Sequence, residues 1–166
     1  VTNICTLIRD HFGDSLNIWA YTRVDTTRPE FLELLRAAGI RWLGVGIEAA
    51  SSTVRDGQDN SFTDDDIFKV VERIKNADIN VGANYIFGLP NDTLESMQAT
   101  LDMAIAINSP FANFYCAMAY PGSRLYNEAK SKGLPLADDP GGPGWIGYSQ
   151  HAYETQSLPT DNLSAR

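Results

Sequence analysis

Residues 79–107, INVGANYIFGLPNDTLESMQATLDMAIAI, set an apolar run of strand length, a Gly-Leu-Pro turn and a helix-period segment end to end. Ile79–Phe87 is the most apolar run in the chain and reads as a strand. Gly88-Leu89-Pro90 closes it, and Asn91-Asp92-Thr93 opens a helix with Leu94, Met97, Leu101, Ala104 and Ile105 predicted on one face. Asp92 followed by Glu95 has the spacing of a capping box. The unit is strand, short turn, helix, and the same order recurs on both sides of it.

Upstream, Arg41–Ile47 is a strand, a polar loop spans 49–62, and Thr63 precedes a helix with Ile67, Val70, Val71 and Ile74 at i, i+3, i+4, i+7. Asp64, Asp65 and Asp66 fall in its first turn, where the helix dipole favours negative charge; a metal-binding reading of the run is much weaker, since consecutive helix positions diverge by about 100°. Further upstream, Asn17–Val24 is a strand, and Thr27 with Glu30 predicts a capping box for a helix that stops at Gly39. Downstream, Phe111–Met118 is a fourth strand and Arg124–Lys132 a short helix ended by Gly133. The opening stretch VTNICTLIRDHFG is amphipathic, with Ile4, Leu7, Ile8 and His11/Phe12 at helical spacing and no initiator Met; it reads as an excerpt of a longer protein.

Alternating strands and helices with short loops predict a parallel sheet of right-handed βαβ units, an α/β fold with both sheet faces covered. An open doubly wound sheet and a barrel both meet that description. No G-x-G-x-x-G follows a predicted strand (the match at Gly142–Gly147 lies in the irregular tail) and GxxxxGK[ST] does not occur, which favours a barrel or partial barrel. The pattern breaks after Gly133: residues 1–133 form the βα part, and 134–166 form an irregular tail rich in Pro, Gly and aromatics.

With 166 residues, 43% hydrophobic, the chain can bury a real core, and no apolar run approaches the length of a membrane span. A net charge of −8 argues against direct nucleic-acid binding. Cys5 and Cys116 belong to no ligand-spaced pair and read as buried free thiols of a reducing, cytoplasmic compartment.

In parallel α/β folds functional groups gather at the carboxyl ends of the strands. Those ends carry Arg23 and Asp25, then Gly46 and Glu48, then Asn84, Phe87 and Gly88, then Met118 and Tyr120. Glu48 directly follows an apolar strand, where a carboxylate needs either a charged partner such as Arg23 or Arg55, or a ligand. Asn84 interrupts the most apolar strand, and its amide likewise demands a partner. Gly88 permits close backbone approach. Arg23 and Asp25 can simply pair with each other, and His151 sits among the polar and aromatic residues of the tail.

The strings TRVD (22–25), GIE (46–48), IFGLPNDT (86–93), NFYCAMAYPGSRLY (113–126) and WIGYSQ (145–150), in this order, resemble the later βα units of radical S-adenosylmethionine (SAM) enzymes. The wording is nearest to the cobalamin-binding (B12-type) members. The resemblance implies about four βα units, the carboxyl-terminal part of a partial, TIM-like (β/α)6 barrel. It implies SAM as cofactor, held with a [4Fe–4S] cluster on a C-x-x-x-C-x-x-C motif that this sequence lacks, and cobalamin on a domain outside it. It further places Glu48 against the ribose or amino-acid end of SAM and Asn84 near the ribose. Ile86 and Phe87-Gly88-Leu89-Pro90 then pack on adenine, and Ala117, Met118 and Ala119 meet the adenine edge. Arg23, Asp25, Tyr120 and His151 become candidates for substrate or cobalamin contacts. Arg55 stands in for a rim arginine that relatives place nearer Asn60. Two other readings remain: an aldolase-like barrel, which requires a lysine at a strand end, and a non-catalytic fragment whose open sheet edges pair with a second copy. The substrate, a small molecule or peptide, is not identified by these residues.

Overall fold

The structure is a computed structural model that describes residues 1–56, 62–139, 143–149 and 157–164. A helix α1 (Thr2–Phe12) precedes the alternating units. These are β1 (Ile18–Arg23), α2 (Pro29–Ala37), β2 (Ile40–Glu48), α3 (Ser52–Asp56), α4 (Asp64–Asn76), β3 (Asn80–Phe87), α5 (Leu94–Ile107), β4 (Phe111–Cys116) and α6 (Arg124–Ser131), followed by a 3-10 turn at Pro143–Tyr148. All strand pairs are parallel, and the sheet order is β1-β2-β3-β4. That order decides between the two architectures left open by the sequence. A doubly wound sheet reverses direction at a switch point, whereas strands laid down in one direction by right-handed crossovers put every helix on the same face, as in a barrel.

The core therefore forms on one face only. Leu43, Val45 and Ile47 of β2 and Val81, Ala83 and Tyr85 of β3 pack against Leu32, Ile67, Val70, Val71, Ile74, Met103 and Ile107 from the helices. Each fully buried aliphatic chain contributes roughly 1.5–3 kcal/mol. The opposite face carries Trp19, Tyr21, Trp42 and Phe111, and Tyr21 is 79% exposed. The expectation that helices cover both faces is thus corrected: the aromatic residues that made the strands look continuously apolar belong to a face that carries no helix among the described residues. Gly44 and Gly82 are the floor beneath these rings, since a Cβ there would stand 2.8 Å from Tyr21 and 2.6 Å from Trp19.

Helix starts follow the sequence in part. Thr63 caps α4: its hydroxyl accepts the Asp66 N–H, and its own backbone N–H donates to the Asp66 carboxylate, which completes a capping box. The box predicted at Thr27 does not form: Arg28 holds the cap position without a side-chain bond, and the Thr27 hydroxyl donates to the Arg23 carbonyl at 2.6 Å. The box predicted at Asp92 is displaced by one residue to Thr93 and Ser96. Helix α5 is also rotated from its predicted face, burying Thr100, Met103, Ala104 and Ile107 while Leu94 and Ile105 are exposed. In α1 it is Cys5 and Ile8 that pack inward, with Ile4 and Leu7 exposed. Cys5 is buried as expected, but Cys116, at the last position of an edge strand, is exposed. No helix among the described residues is long and apolar enough to cross a membrane.

Candidate functional site

Toward the carboxyl ends of the strands the helix-free face changes from aromatic to polar. One register row reads Arg23, Gly46, Asn84, Asn113 across the four strands. Asn113 Nδ2 donates to Asn84 Oδ1 at 3.1 Å, and Asn84 Nδ2 makes a long 3.4 Å contact to the Gly82 carbonyl. Arg23 makes a bidentate pair with Asp25, both bonds 3.0 Å, so these two do meet across the end of β1. Asn113 was absent from the residues singled out in the sequence, although it interrupts β4 as Asn84 interrupts β3.

Glu48 ends β2 in an unusual conformation. The pairing with β3 is irregular between Gly46 and Glu48, and Glu48 has φ 70°. The Ala49 N–H donates to the Ile47 carbonyl at 3.0 Å, closing a three-residue γ-turn of the rare, strained kind around Glu48. A left-handed backbone costs a residue with a Cβ about 1–2 kcal/mol. The turn lays the carboxylate back over Gly46, where a Cβ would stand 2.7 Å from Glu48 Oε1. Gly46 is therefore needed because of Glu48, a dependence invisible until the turn is seen. Burial pushes the Glu48 carboxyl up from its ordinary value, and the Arg23 charge partly offsets this. Among the described residues no hydrogen-bond donor reaches that carboxylate. An acceptor is held half-buried, at a cost in backbone strain, and left open.

The next strand end is built differently. Gly88 supplies the positive φ (81°) at no steric cost, and its N–H donates to Asp92 Oδ2 at 2.9 Å. Asp92 is 1% exposed and also accepts from the Ser96 hydroxyl. The resemblance made the Gly88 backbone a cofactor contact; its N–H is already committed within the chain, while the space above its Cα is open. The Phe87 carbonyl accepts from Ala117 N–H at 2.8 Å, which extends the β3–β4 pairing past the strand end. Ile86, Leu89 and Ala117 pack with Ala49 and Val54 in a small rim cluster. Pro90 is exposed, Met118 and Ala119 are buried, and the exposed Tyr120 stacks on Tyr148 with ring centroids 6.4 Å apart. A cleft of about 270 Å³ beside these ends is lined by Gly88, Ala117, Leu125 and Leu158.

Arg55 does not reach the rim. Its side chain is 0% exposed and binds the Ala49, Ala50 and Phe62 carbonyls and the Asp64 carboxylate, so it faces the loop after Glu48 rather than open space. His151 and Asn60 lie outside the described residues. The lysines are on helices or just beyond one (Lys69 and Lys75 on α4, Lys130 on α6, Lys132 after it), so the strand-end amine of an aldolase-like barrel is missing.

The family model of the radical SAM superfamily matches residues 15–104, more than half of the chain. The chain belongs to the radical SAM superfamily. It is 27% identical over 124 residues to an uncharacterized methyltransferase of Pyrococcus horikoshii, covering 75% of this chain and 27% of that protein. It is 33% identical over 113 residues to the anaerobic magnesium-protoporphyrin IX monomethyl ester cyclase of Rubrivivax gelatinosus, covering 67% of this chain and 20% of the relative. The chain thus spans about a fifth to a quarter of the curated relatives it matches. Among solved structures it resembles the radical SAM methyltransferase TsrM of Kitasatospora setae with cobalamin and [4Fe–4S] cluster bound (TM-score 0.62, 23% identity, 69% of this chain and 24% of that one). It also resembles the coproporphyrinogen III oxidase HemN of Escherichia coli (TM-score 0.63, 17% identity, 81% of this chain and 37% of that one). Both likenesses show the fold, a partial radical SAM barrel.

The superfamily's two shared groups fit this chain unequally. SAM needs acceptors for its hydroxyls and ammonium and a surface that a flat base can approach. The open Glu48 carboxylate over Gly46, the Asn84–Asn113 amides and the clear space above Gly88 match those needs. The cluster does not fit: no group of three metal-ligating side chains occurs among the described residues, and Cys5 and Cys116 lie on α1 and at the end of β4.

Proposed function

We propose that this chain forms the SAM-facing part of a radical SAM enzyme of the cobalamin-binding kind, a methyltransferase or a related radical enzyme. When bound beside the superfamily's cluster, SAM supplies a 5′-deoxyadenosyl radical or a methyl group. The cluster ligands and the cobalamin domain belong to parts of the protein other than these residues. Glu48 takes the ribose hydroxyls or the ammonium of SAM, and Asn84, steadied by Asn113, lies toward the ribose. Ile86 and Phe87–Pro90 present an apolar side to adenine, and Ala117, Met118 and Ala119 border its edge. Arg23, Asp25 and Tyr120 line the same rim and face the substrate or cobalamin, with His151 assigned there from the sequence.

The observation that carries the proposal is Glu48, a half-buried carboxylate kept in a strained turn and aimed over a glycine. Strain of this kind persists where the surroundings over-determine it, and it gathers at ligand sites. The B12 assignment is supported by the motif wording and by the cobalamin-bound TsrM neighbour. The intact protein, assayed anaerobically with SAM and reductant, should release 5′-deoxyadenosine or a methylated product. Neither product from a cluster-loaded protein, together with unaltered SAM binding in Glu48→Ala, would remove the assignment.

A second proposal concerns the polypeptide itself. Among the described residues strands β1 and β4 each pair on one side only, and the helix-free face exposes Trp19, Tyr21 and Phe111. Unpaired edges beside an apolar face favour association with a second copy. Sedimentation of the 166-residue chain should show a dimer or larger species, and a clean monomer would refute it.

A further inference from the structure

Glu48 keeps its strained φ only if the chain on either side cannot relax, and the two residues after it are tied down at every backbone polar group. The Ala49 N–H is held by the Ile47 carbonyl at 3.0 Å. The Ala49 and Ala50 carbonyls both accept from Arg55 Nη1, at 2.6 and 2.5 Å. The Ala50 N–H donates to the Thr100 hydroxyl at 3.0 Å, and that hydroxyl donates in turn to the Ser96 carbonyl at 2.9 Å. Arg55 and Thr100 are each 0% exposed and come from different helices, α3 and α5, so the turn is gripped from two sides.

A buried guanidinium is an expensive way to fill space, since apolar residues of similar volume usually serve stability as well or better. Arg55 is nevertheless fully enclosed. Its remaining bonds go to the Phe62 carbonyl (3.2 Å) and Asp64 (2.8 Å), the Phe62 ring lies 5.3 Å from its carbon centre, and among the described residues Nε has no partner. An arginine that leaves one donor unsatisfied in order to place another on two adjacent carbonyls is fitted to that turn. Thr100 is fitted to it in the same way, because valine would fill its volume but orphan the Ala50 N–H.

We infer that Arg55 and Thr100 are positioning residues, a two-helix clamp that fixes the Glu48 carboxylate over Gly46. The functional part of the inference rests on the SAM reading above; the geometric part stands without it. In the 166-residue chain carrying 13C-labelled glutamate carboxyls, Thr100→Val and Arg55→Lys should move the Glu48 resonance. Both should also lower its titration midpoint toward the ordinary carboxylate value, as the group leaves its partly buried seat beside Arg23. Thr100→Ser, which restores the hydroxyl, should leave both readings unchanged. Folded Thr100→Val and Arg55→Lys proteins with an unaltered Glu48 midpoint would overturn the clamp. Wild-type hydrogen exchange provides a check that needs no variant: the Ala49 and Ala50 amides should exchange as slowly as those inside β2, and loop-like exchange would also overturn it. In the intact protein Thr100→Val should weaken SAM binding about tenfold, as removal of a group that orients a ligand-binding residue commonly does, with Thr100→Ser at the wild-type value. If Glu48→Gln binds SAM normally the SAM reading fails, while the resonance and exchange results still decide the clamp.

Discussion

Two adjacent strands solve the same backbone problem in opposite ways. At the end of β3 the chain turns through Gly88 (φ 81°), and at the end of β2 it turns through Glu48 (φ 70°). Glycine adopts that conformation freely, whereas glutamate does so at a cost of about 1–2 kcal/mol. Each turn is pinned by one buried charged side chain matched to the backbone group it holds: Asp92 accepts the Gly88 N–H, and Arg55 donates to the Ala49 and Ala50 carbonyls. The β3 turn is relaxed, and the β2 turn is strained for the sake of a side chain. Under the proposed function, that difference marks the end of β2 as the one that holds a group for use.

The largest effect on stability should come from removing either pin. Asp92→Ala leaves the Gly88 N–H without its acceptor and the Ser96 hydroxyl with only the Thr93 carbonyl, a loss of about 1–3 kcal/mol in urea unfolding. A change below about 0.5 kcal/mol would mean that water replaces the carboxylate and that the two ends are less alike than described. Next come the turn residues themselves, which should respond with opposite signs. Gly88→Ala should destabilise by about 1–2 kcal/mol, while Glu48→Gly should stabilise by about 1 kcal/mol despite deleting a whole side chain. Loss of stability in Glu48→Gly would show that the turn is not strained.

A smaller effect should appear in the pH dependence. Burial raises the folded-state pKa of Glu48 above its ordinary 4.5, so its contribution to stability is fully present below 4.5 and is lost as pH rises through the folded value. Glu48→Gln, which cannot ionise, should therefore match the wild type in acid and become the more stable protein toward neutrality. Unfolding curves at pH 4 and pH 7 test this, and a gap that closes toward neutrality would reverse the assigned sign. The smallest effect is expected at Tyr85, whose buried hydroxyl has no partner among the described residues and whose pKa burial pushes up to about 12. Tyr85→Phe should be neutral or stabilising by about 1 kcal/mol.

Much of this fold was legible in the sequence because it rests on local signals. Each strand was found within a residue or two, the Thr63 cap was read from spacing, and the lack of a nucleotide fingerprint after any strand favoured the barrel that the strand order then showed. What escaped depends on three-dimensional partners. Helix α5 is apolar around most of its circumference, so periodicity could not reveal that the buried Thr100 hydroxyl, by meeting Ala50, would set its face. Thr27 and Asp92 had the spacing for caps but found other backbone partners, in Arg23 and Gly88. Arg55 looked like a rim charge because its burial depends on Phe62 and Asp64 from the next segment. Glu48 stood out early for the right reason, a carboxylate where none is cheap, but Gly46 became meaningful only with the turn between them.

The central claim is that the strain at the end of β2 serves SAM binding, and Glu48→Gly in the intact, cluster-loaded protein tests it most directly. Anaerobic titration with SAM, paired with thermal unfolding of the same samples, should show a protein that melts higher than the wild type and binds SAM at least about tenfold more weakly. A variant that melts higher and binds SAM as tightly as the wild type would contradict the account.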